Sequence, residues 1–105
     1  YSEALRAAIR EEMLRDPTVF VYGEDIGAYG GVFKVTRNLQ SEFGEQRVRD
    51  TPIAEQTMTG MAVGAAMCGL KPILEIMYAD FLGLSLDALV NQASIAHMIW
   101  NGQVR

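Results

Sequence analysis

At 105 residues, half of them hydrophobic and about a fifth charged, the chain is long enough for one globular domain with a sizeable core and too apolar for a disordered tail. A formal charge of −4 without any cluster of Lys and Arg excludes the concentrated basic surface that nucleic acid requires, and it disfavours acidic partners. The single cysteine, Cys68, allows no internal disulfide and no CxxC zinc pair, which points to a reducing compartment.

The longest weakly polar stretch, residues 58–70, is shorter than the roughly 20 apolar residues of a membrane span, and no signal peptide opens the chain. A start at Tyr1 rather than Met, and an end on "GQVR" without a terminating turn, lead us to expect a segment of a longer protein.

Leu5, Ala8, Ile9 and Met13 recur at helical spacing between Ser2, an expected N-cap, and the Asp16-Pro17 pair, which stops a helix. "TVFVY", 18–22, is a continuous β-branched and aromatic run, the pattern of a strand buried on both faces in a parallel sheet. "GEDIGAYGGVF" follows with four glycines in eleven residues, a loop that turns sharply or approaches something closely. "TRNLQSEFG" reads as a short helix ended by Gly44, and "QRVRD" as a short strand.

From Pro52 the pattern predicts a helix through Gly60, Gly64 and Gly69, then the strand "PILEI" and a last helix over 80–100. Alternating strands and helices imply a parallel sheet joined by right-handed crossovers, an α/β fold. No repeat, low-complexity stretch or linker interrupts it. In such sheets ligands sit outside the carboxyl ends of the strands. The segments leaving there bring Glu24, Glu55 and Asp80.

"TPIAEQ" places Glu55 where a helix begins, so it also reads as an ordinary first-turn acid, worth roughly 0.3–1 kcal/mol through the helix dipole. Against that reading, Lys71 is the only Lys or Arg between Arg49 and Arg105, so no neighbouring cation in sequence explains Glu55, Glu75, Asp80 and Asp87. Some of these acids should face a ligand. Gly60, Gly64 and Gly69 lie in a helical stretch rather than a strand-to-helix turn, and so read as close helix packing rather than a nucleotide fingerprint. The 23–33 loop does not continue into GK[ST], which excludes a P-loop. His97 has no partner at metal spacing and reads as surface or packed. Cys68 reads as inert core, and Met58, Met61 and Met67 as core gap-fillers. These residues alone give an α/β domain with a carboxylate-lined rim and no complete catalytic constellation.

Taken together, "VFVYGEDIGAYGGVFKVT", "FGEQRVRDTPIAEQTMTGMAVGAAMCGLKPILEIMYADF" and "LDALVNQAS" resemble the β subunit of the thiamine-diphosphate-dependent first component of 2-oxoacid dehydrogenase complexes. Acetoin dehydrogenase β subunits share the pattern, and "IMYADF" with "VNQA" leans toward the acetoin and branched-chain side. The resemblance spans nearly the whole chain. It implies a three-layer thiamine-diphosphate-binding module with a mainly parallel sheet, incomplete here, with 1–105 as the pyrimidine-binding domain of a longer subunit.

By the resemblance, Glu55 accepts a hydrogen bond from N1′ of the cofactor's aminopyrimidine and so activates it. Met77 and Phe81 match positions that pack against the pyrimidine, and Glu24 and Asp87 match acids lying between two active sites. The resemblance further implies an α subunit in a heterotetramer of two α and two β subunits, which supplies the Mg²⁺ and diphosphate ligands, and a lipoyl-bearing acyltransferase that receives the acyl unit. The family's substrate-handling histidine would fall beyond Arg105. Ala88, Leu84 and "HMIWNGQ" depart from the usual pattern and leave the substrate open: pyruvate, a branched-chain oxoacid or acetoin. The expected compartment is the cytoplasm of a bacterium or the mitochondrial matrix of a eukaryote.

Three other readings are weighed beside this one. A transketolase-like or deoxyxylulose-phosphate-synthase-like domain uses an equivalent glutamate, and a noncatalytic regulatory or structural subunit could retain the fold. A flavodoxin-like binding module would need a Ser/Thr-bearing phosphate loop after the first strand, which "GEDIGAYGG" lacks.

Overall fold

The strand expected at 18–22 organises the structure. In the computed structural model, which describes residues 1–104, β1 (Val19–Gly23) lies between β2 (Val48–Asp50) and β3 (Lys71–Glu75), and both neighbours run parallel to it. Val21 stands opposite Val48 on one side and Ile73 on the other, while Phe20 stands opposite Pro72. The Lys71 N–H donates to the Thr18 carbonyl at 3.0 Å, starting the β1–β3 ladder.

Alternation along β1 sends its side chains to two faces. Val19 and Val21 join Met13, Ile26, Leu39 and Val48 in the buried core, with Ile9, Phe43 and Ile73 packed around it. Tyr22 points the other way, also buried, and its hydroxyl donates to the Met58 carbonyl at 2.6 Å. Helices therefore cover both faces of the sheet, as the continuous apolar run required.

α1 (Ser2–Arg15) packs through Ile9 and Met13, whereas Leu5 is exposed. Tyr1, not Ser2, holds the N-cap position, and it makes no side-chain cap. The helix ends at Asp16 in extended backbone, because Pro17 disfavours a helical residue before it. The Asp16 carboxylate accepts the Thr18 N–H at 2.8 Å, the Thr18 hydroxyl at 2.6 Å and the Lys71 ammonium at 2.6 Å. Those bonds, Lys71 first, hold its carboxyl well below the usual carboxylate range.

Nearby, Arg47 donates to the carbonyl oxygens of Met13, Asp16 and Val19 at 2.8, 2.9 and 2.7 Å, and its guanidinium lies over the Phe43 ring. One fork thus ties the end of α1 and the start of β1 to the entry of β2.

α2 (Leu39–Phe43) is the expected short helix, ended by Gly44 at φ +82°. α3 (Glu55–Met67) begins three residues after Pro52, since Ala54 is still non-helical. It also stops before Gly69, whose φ of +86° lets the Leu70 N–H reach back to the Ala65 carbonyl. Gly69 is therefore a stop signal rather than a packing residue. A Cβ added at Gly60 or Gly64 would meet nothing within 4 Å, so the expected close packing is absent among the described residues.

The same face corrects three further expectations. Met58 is buried as expected, but Met61, Met67 and Cys68 are exposed because no described element covers them.

The helix expected over 80–100 is instead broken into a 3₁₀ segment (Ala79–Ser85), a π segment (Ala88–Ala93) and α4 (Ala96–Ile99). A helix draws most of its stability from a packed face. Here the buried residues are only the small Ser85, Ala88 and Ala96, while Leu82, Leu84, Leu86, Leu89 and Val90 stay exposed. His97 is exposed, with Nδ1 donating to the Val104 carbonyl at 2.8 Å. No helix among the described residues is long and apolar enough to cross a membrane.

Arg47→Met keeps the stem and removes the fork. It should lower the opening free energy of the β1 amides by about 1.5–3 kcal/mol, the range for hydrogen bonds to a charged group, as read by hydrogen exchange. Arg47→Lys should not restore it, since an ammonium cannot reach three carbonyls in one plane. Unchanged protection in Arg47→Met would show that the fork carries no stability.

Candidate functional site

Gly23 pairs with Asp50 on one side and Glu75 on the other, so all three strands end level with one another. The chain leaves this edge three times: at Glu24, through residues 51–55 into α3, and through residues 76–81. Two of the three expected rim acids, Glu24 and Glu55, leave from this edge, and the charge of Glu55 acts on Glu24.

Glu55 is the first residue of α3 and only 6 % exposed. Burying a carboxylate normally requires a cation. Yet the ion pairs among the described residues are Arg10–Glu42, Arg15–Glu12 and Lys71–Asp16, and none includes Glu55. The N-cap residue Ala54 makes no side-chain cap, and Glu55 stands in the first turn, at the positive end of the helix dipole.

The backbone around Glu55 is fixed from several sides. Thr51 N–H donates to the Gly23 carbonyl at 3.0 Å, and the Thr51 hydroxyl lies 2.9 Å from Met58 Sδ. The Thr59 hydroxyl donates to the Glu55 carbonyl at 2.8 Å and shares a 2.7 Å hydrogen bond with the Ser85 hydroxyl. Both hydroxyls are buried, and they lock α3 to the 3₁₀ segment.

Glu24 is half-buried, and its carboxyl is raised above the ordinary range by burial, then by the charges of Glu55 and Asp25. Glu75 at the end of β3 is likewise raised, by burial. The glycine-rich loop crosses it so closely that a Cβ on Gly31 would stand 3.2 Å from Glu75 Oε1.

Met77 is half-buried and Phe81 is 40 % exposed, both in the segment that follows β3. The Phe81 ring meets Tyr78 edge to face at 5.7 Å, and Tyr78 meets Phe33 of the glycine-rich loop in the same manner at 5.9 Å. Asp80 is exposed. Asp87 is exposed too and accepts the Asn91 side-chain amide at 2.9 Å; it is not among the charges acting on Glu24, so the structure does not join it to the Glu24–Glu55 pair.

A glutamate that is nearly buried and has no ion pair among the described residues, at the sheet edge from which the segment of Met77 and Phe81 also leaves, offers an acceptor and apolar surface of the kind a flat nitrogen heterocycle needs. Among the described residues no group of three His, Cys, Asp or Glu side chains is placed to hold a metal ion. The hollow of about 560 Å³ lined by Ala28, Gln40, Arg49 and Asp50 lies beside β2 and includes neither Glu55 nor Phe81, so it does not mark this site.

Sequence reasoning overlooked Tyr22, Thr59, Ser85, Phe33 and Tyr78. The two hydroxyls gave no signal, since a threonine and a serine 26 residues apart declare no partnership. The aromatic pair had one available signal: a large ring in a glycine-rich loop has no local core to enter.

The transketolase pyrimidine-binding domain family matches residues 1–105. The chain is 50% identical over 103 residues to the β subunit of the pyruvate dehydrogenase E1 component of Chaetosphaeridium globosum, covering 98% of this chain and 32% of that protein. It is 52% identical over 103 residues to chloroplastic subunit beta-4 of the same component from Oryza sativa subsp. japonica, covering 98% and 26%. It is also 48% identical over 94 residues to the 2-oxoisovalerate dehydrogenase subunit beta of Bacillus subtilis, covering 90% and 29%. The chain thus spans about a third or less of the length of these relatives. With a whole-chain match and a buried, unpaired glutamate at the level ends of a parallel sheet, the chain belongs to the transketolase pyrimidine-binding domain family.

Proposed function

We propose that residues 1–105 are the pyrimidine-binding domain of a longer β subunit, and that this subunit acts on a 2-oxoacid with thiamine diphosphate. The observation that carries the reading is Glu55: buried, free of any ion pair among the described residues, and at the start of a helix that faces a second acid.

Thiamine diphosphate, when bound, supplies a carbon nucleophile for cleavage next to a carbonyl. Glu55 accepts a hydrogen bond at N1′ and keeps proton density there, which makes the aminopyrimidine a base. Thr59 and Ser85 keep the Glu55 backbone in register. Met77 and Phe81 would lie against the ring and exclude water from it.

The relatives are named as β subunits, which supports an α partner; the remainder extends that reading. An α subunit, in a heterotetramer of two α and two β subunits, would complete the site with the Mg²⁺ and diphosphate ligands. A lipoyl-bearing acyltransferase would take the acyl unit. Relatives named for pyruvate and for 2-oxoisovalerate both match at about half identity, which supports a 2-oxoacid; acetoin is the alternative that the motif around Met77 and Phe81 supports. A bacterial cytoplasm or an organelle interior is the compartment assigned.

Glu55→Gln preserves size and removes the carboxylate. In the full-length enzyme with saturating cofactor, exchange of the thiazolium C2 proton into heavy water should slow by orders of magnitude while the fold persists. A merely dipolar role would cost at most roughly 1 kcal/mol of stability and leave exchange within a few-fold of wild type, which would sink the proposal.

Phe81→Ala should weaken cofactor binding by about 1–3 kcal/mol, the worth of lost aromatic contact and burial, without unfolding the enzyme. Calorimetric titration with thiamine diphosphate and Mg²⁺ reads this directly. Unaltered affinity in a folded variant would remove Phe81 from the ring-binding face.

A further inference from the structure

Phe33 closes the glycine-rich loop and is 54 % exposed, outside the buried core cluster. An aromatic side chain of this size in a mobile loop would have no fixed neighbour. This loop, however, is tied down along its length. Thr36, fully buried, donates its hydroxyl to the Ile26 carbonyl at 2.7 Å. The Gly31 N–H donates to the Asp25 carbonyl at 2.8 Å, and Lys34 donates to the Tyr29 carbonyl at 2.9 Å while its ammonium covers the Tyr29 ring.

Gly30, at φ +79°, lies so near the Arg37 backbone that a Cβ would stand 2.7 Å from Arg37 Cα. Gly31, at φ +76°, passes the Glu75 carboxylate at a distance that leaves a side chain little room. The loop is therefore seated against the end of β3, and two residues later Phe33 meets Tyr78, three residues past that strand.

The segment that Phe33 reaches is anchored at its far end, where Ser85, its one buried residue, shares a hydrogen bond with Thr59. Phe81 lies four residues before that anchor and is exposed, and its backbone N–H donates to the Tyr78 carbonyl at 3.0 Å. Its ring meets Tyr78 at an interplanar angle of 82°, and Tyr78 meets Phe33 at 76°. Two edge-to-face contacts thus connect the seated loop to an exposed ring that precedes the Ser85 anchor. Edge-to-face pairs resist sliding, because the positive edge of one ring addresses the negative face of the next.

We infer that Phe33 is a positioning residue for cofactor binding: through Tyr78 it fixes the Phe81 ring that faces the pyrimidine. The inference rests on the assignment of Phe81 in the preceding section. Phe33 itself need not touch the cofactor, and its contribution is the orientation of a ring that would otherwise turn.

The test is a double-mutant cycle in the full-length β subunit assembled with its α partner, titrated with thiamine diphosphate and Mg²⁺. Phe33→Ala should weaken binding about three- to tenfold, the worth of one oriented aromatic pair. Phe33→Leu, which keeps bulk but not the ring edge, should lose a similar factor, and Phe33→Tyr should bind as wild type. In a Phe81→Ala background, Phe33→Ala should add no further loss, because the ring it positions is gone. Multiplying losses in the double variant, or wild-type binding by both Phe33→Ala and Phe33→Leu while Phe81→Ala is impaired, overturns the positioning role alone. Wild-type binding by Phe81→Ala overturns the assignment of Phe81 and this inference with it.

Discussion

Parallel pairing on both sides of β1 is the constraint from which the site follows. Because Gly23 stands level with Asp50 and with Glu75, three separate segments emerge at one edge, however far apart they lie in sequence. The strand that sets this register is buried on both faces and cannot slip by one residue without turning Val21 and Tyr22 into each other's environment. The placement of Glu55 beside Glu24 is therefore a property of the sheet rather than of either loop.

Charge is distributed to match. Lys71, the only cation in the second half of the chain before Arg105, sits at the amino end of β3 and is taken by Asp16. Arg47 spends its donors on three carbonyls, and Arg10 pairs with Glu42. Asp16, Lys71 and Arg47 thus gather charge at the amino end of the sheet, while Lys34 and Arg37 lie in the loop that crosses its carboxyl edge. The helix dipole of α3 adds a positive feature there at Glu55.

Pattern made β1, α2 and β3 readable, because the apolar positions of Val19, Val21, Leu39 and Ile73 do face the common core. The boundaries of α3 were less readable: Pro52 allows a helix start that Ala54 does not take, and Gly69 can mean packing or a stop. Failure was greatest where burial is missing. The pattern of 80–100 asks for a helix, but Leu82, Leu86 and Val90 find no partner among the described residues, and the backbone follows the few small residues that do pack. Met61, Met67 and Cys68 mislead for the same reason. At the site, Glu55 was visible through its motif and the lack of nearby cations. The Arg47 fork and the Thr59–Ser85 lock depend on distances that no local pattern encodes.

The outer side of β3 carries a consequence of its own. Amide groups alternate in direction along a strand, and Lys71 spends its N–H inward on Thr18, so the next position, Pro72, faces outward with no N–H to give. The unpaired flank of the sheet is thus interrupted near its beginning. A stray strand laid along it would lose a ladder bond there, which discourages adventitious pairing between copies. Any strand that properly extends the sheet has to take its first firm hold further along, at Leu74, next to the acids rather than away from them.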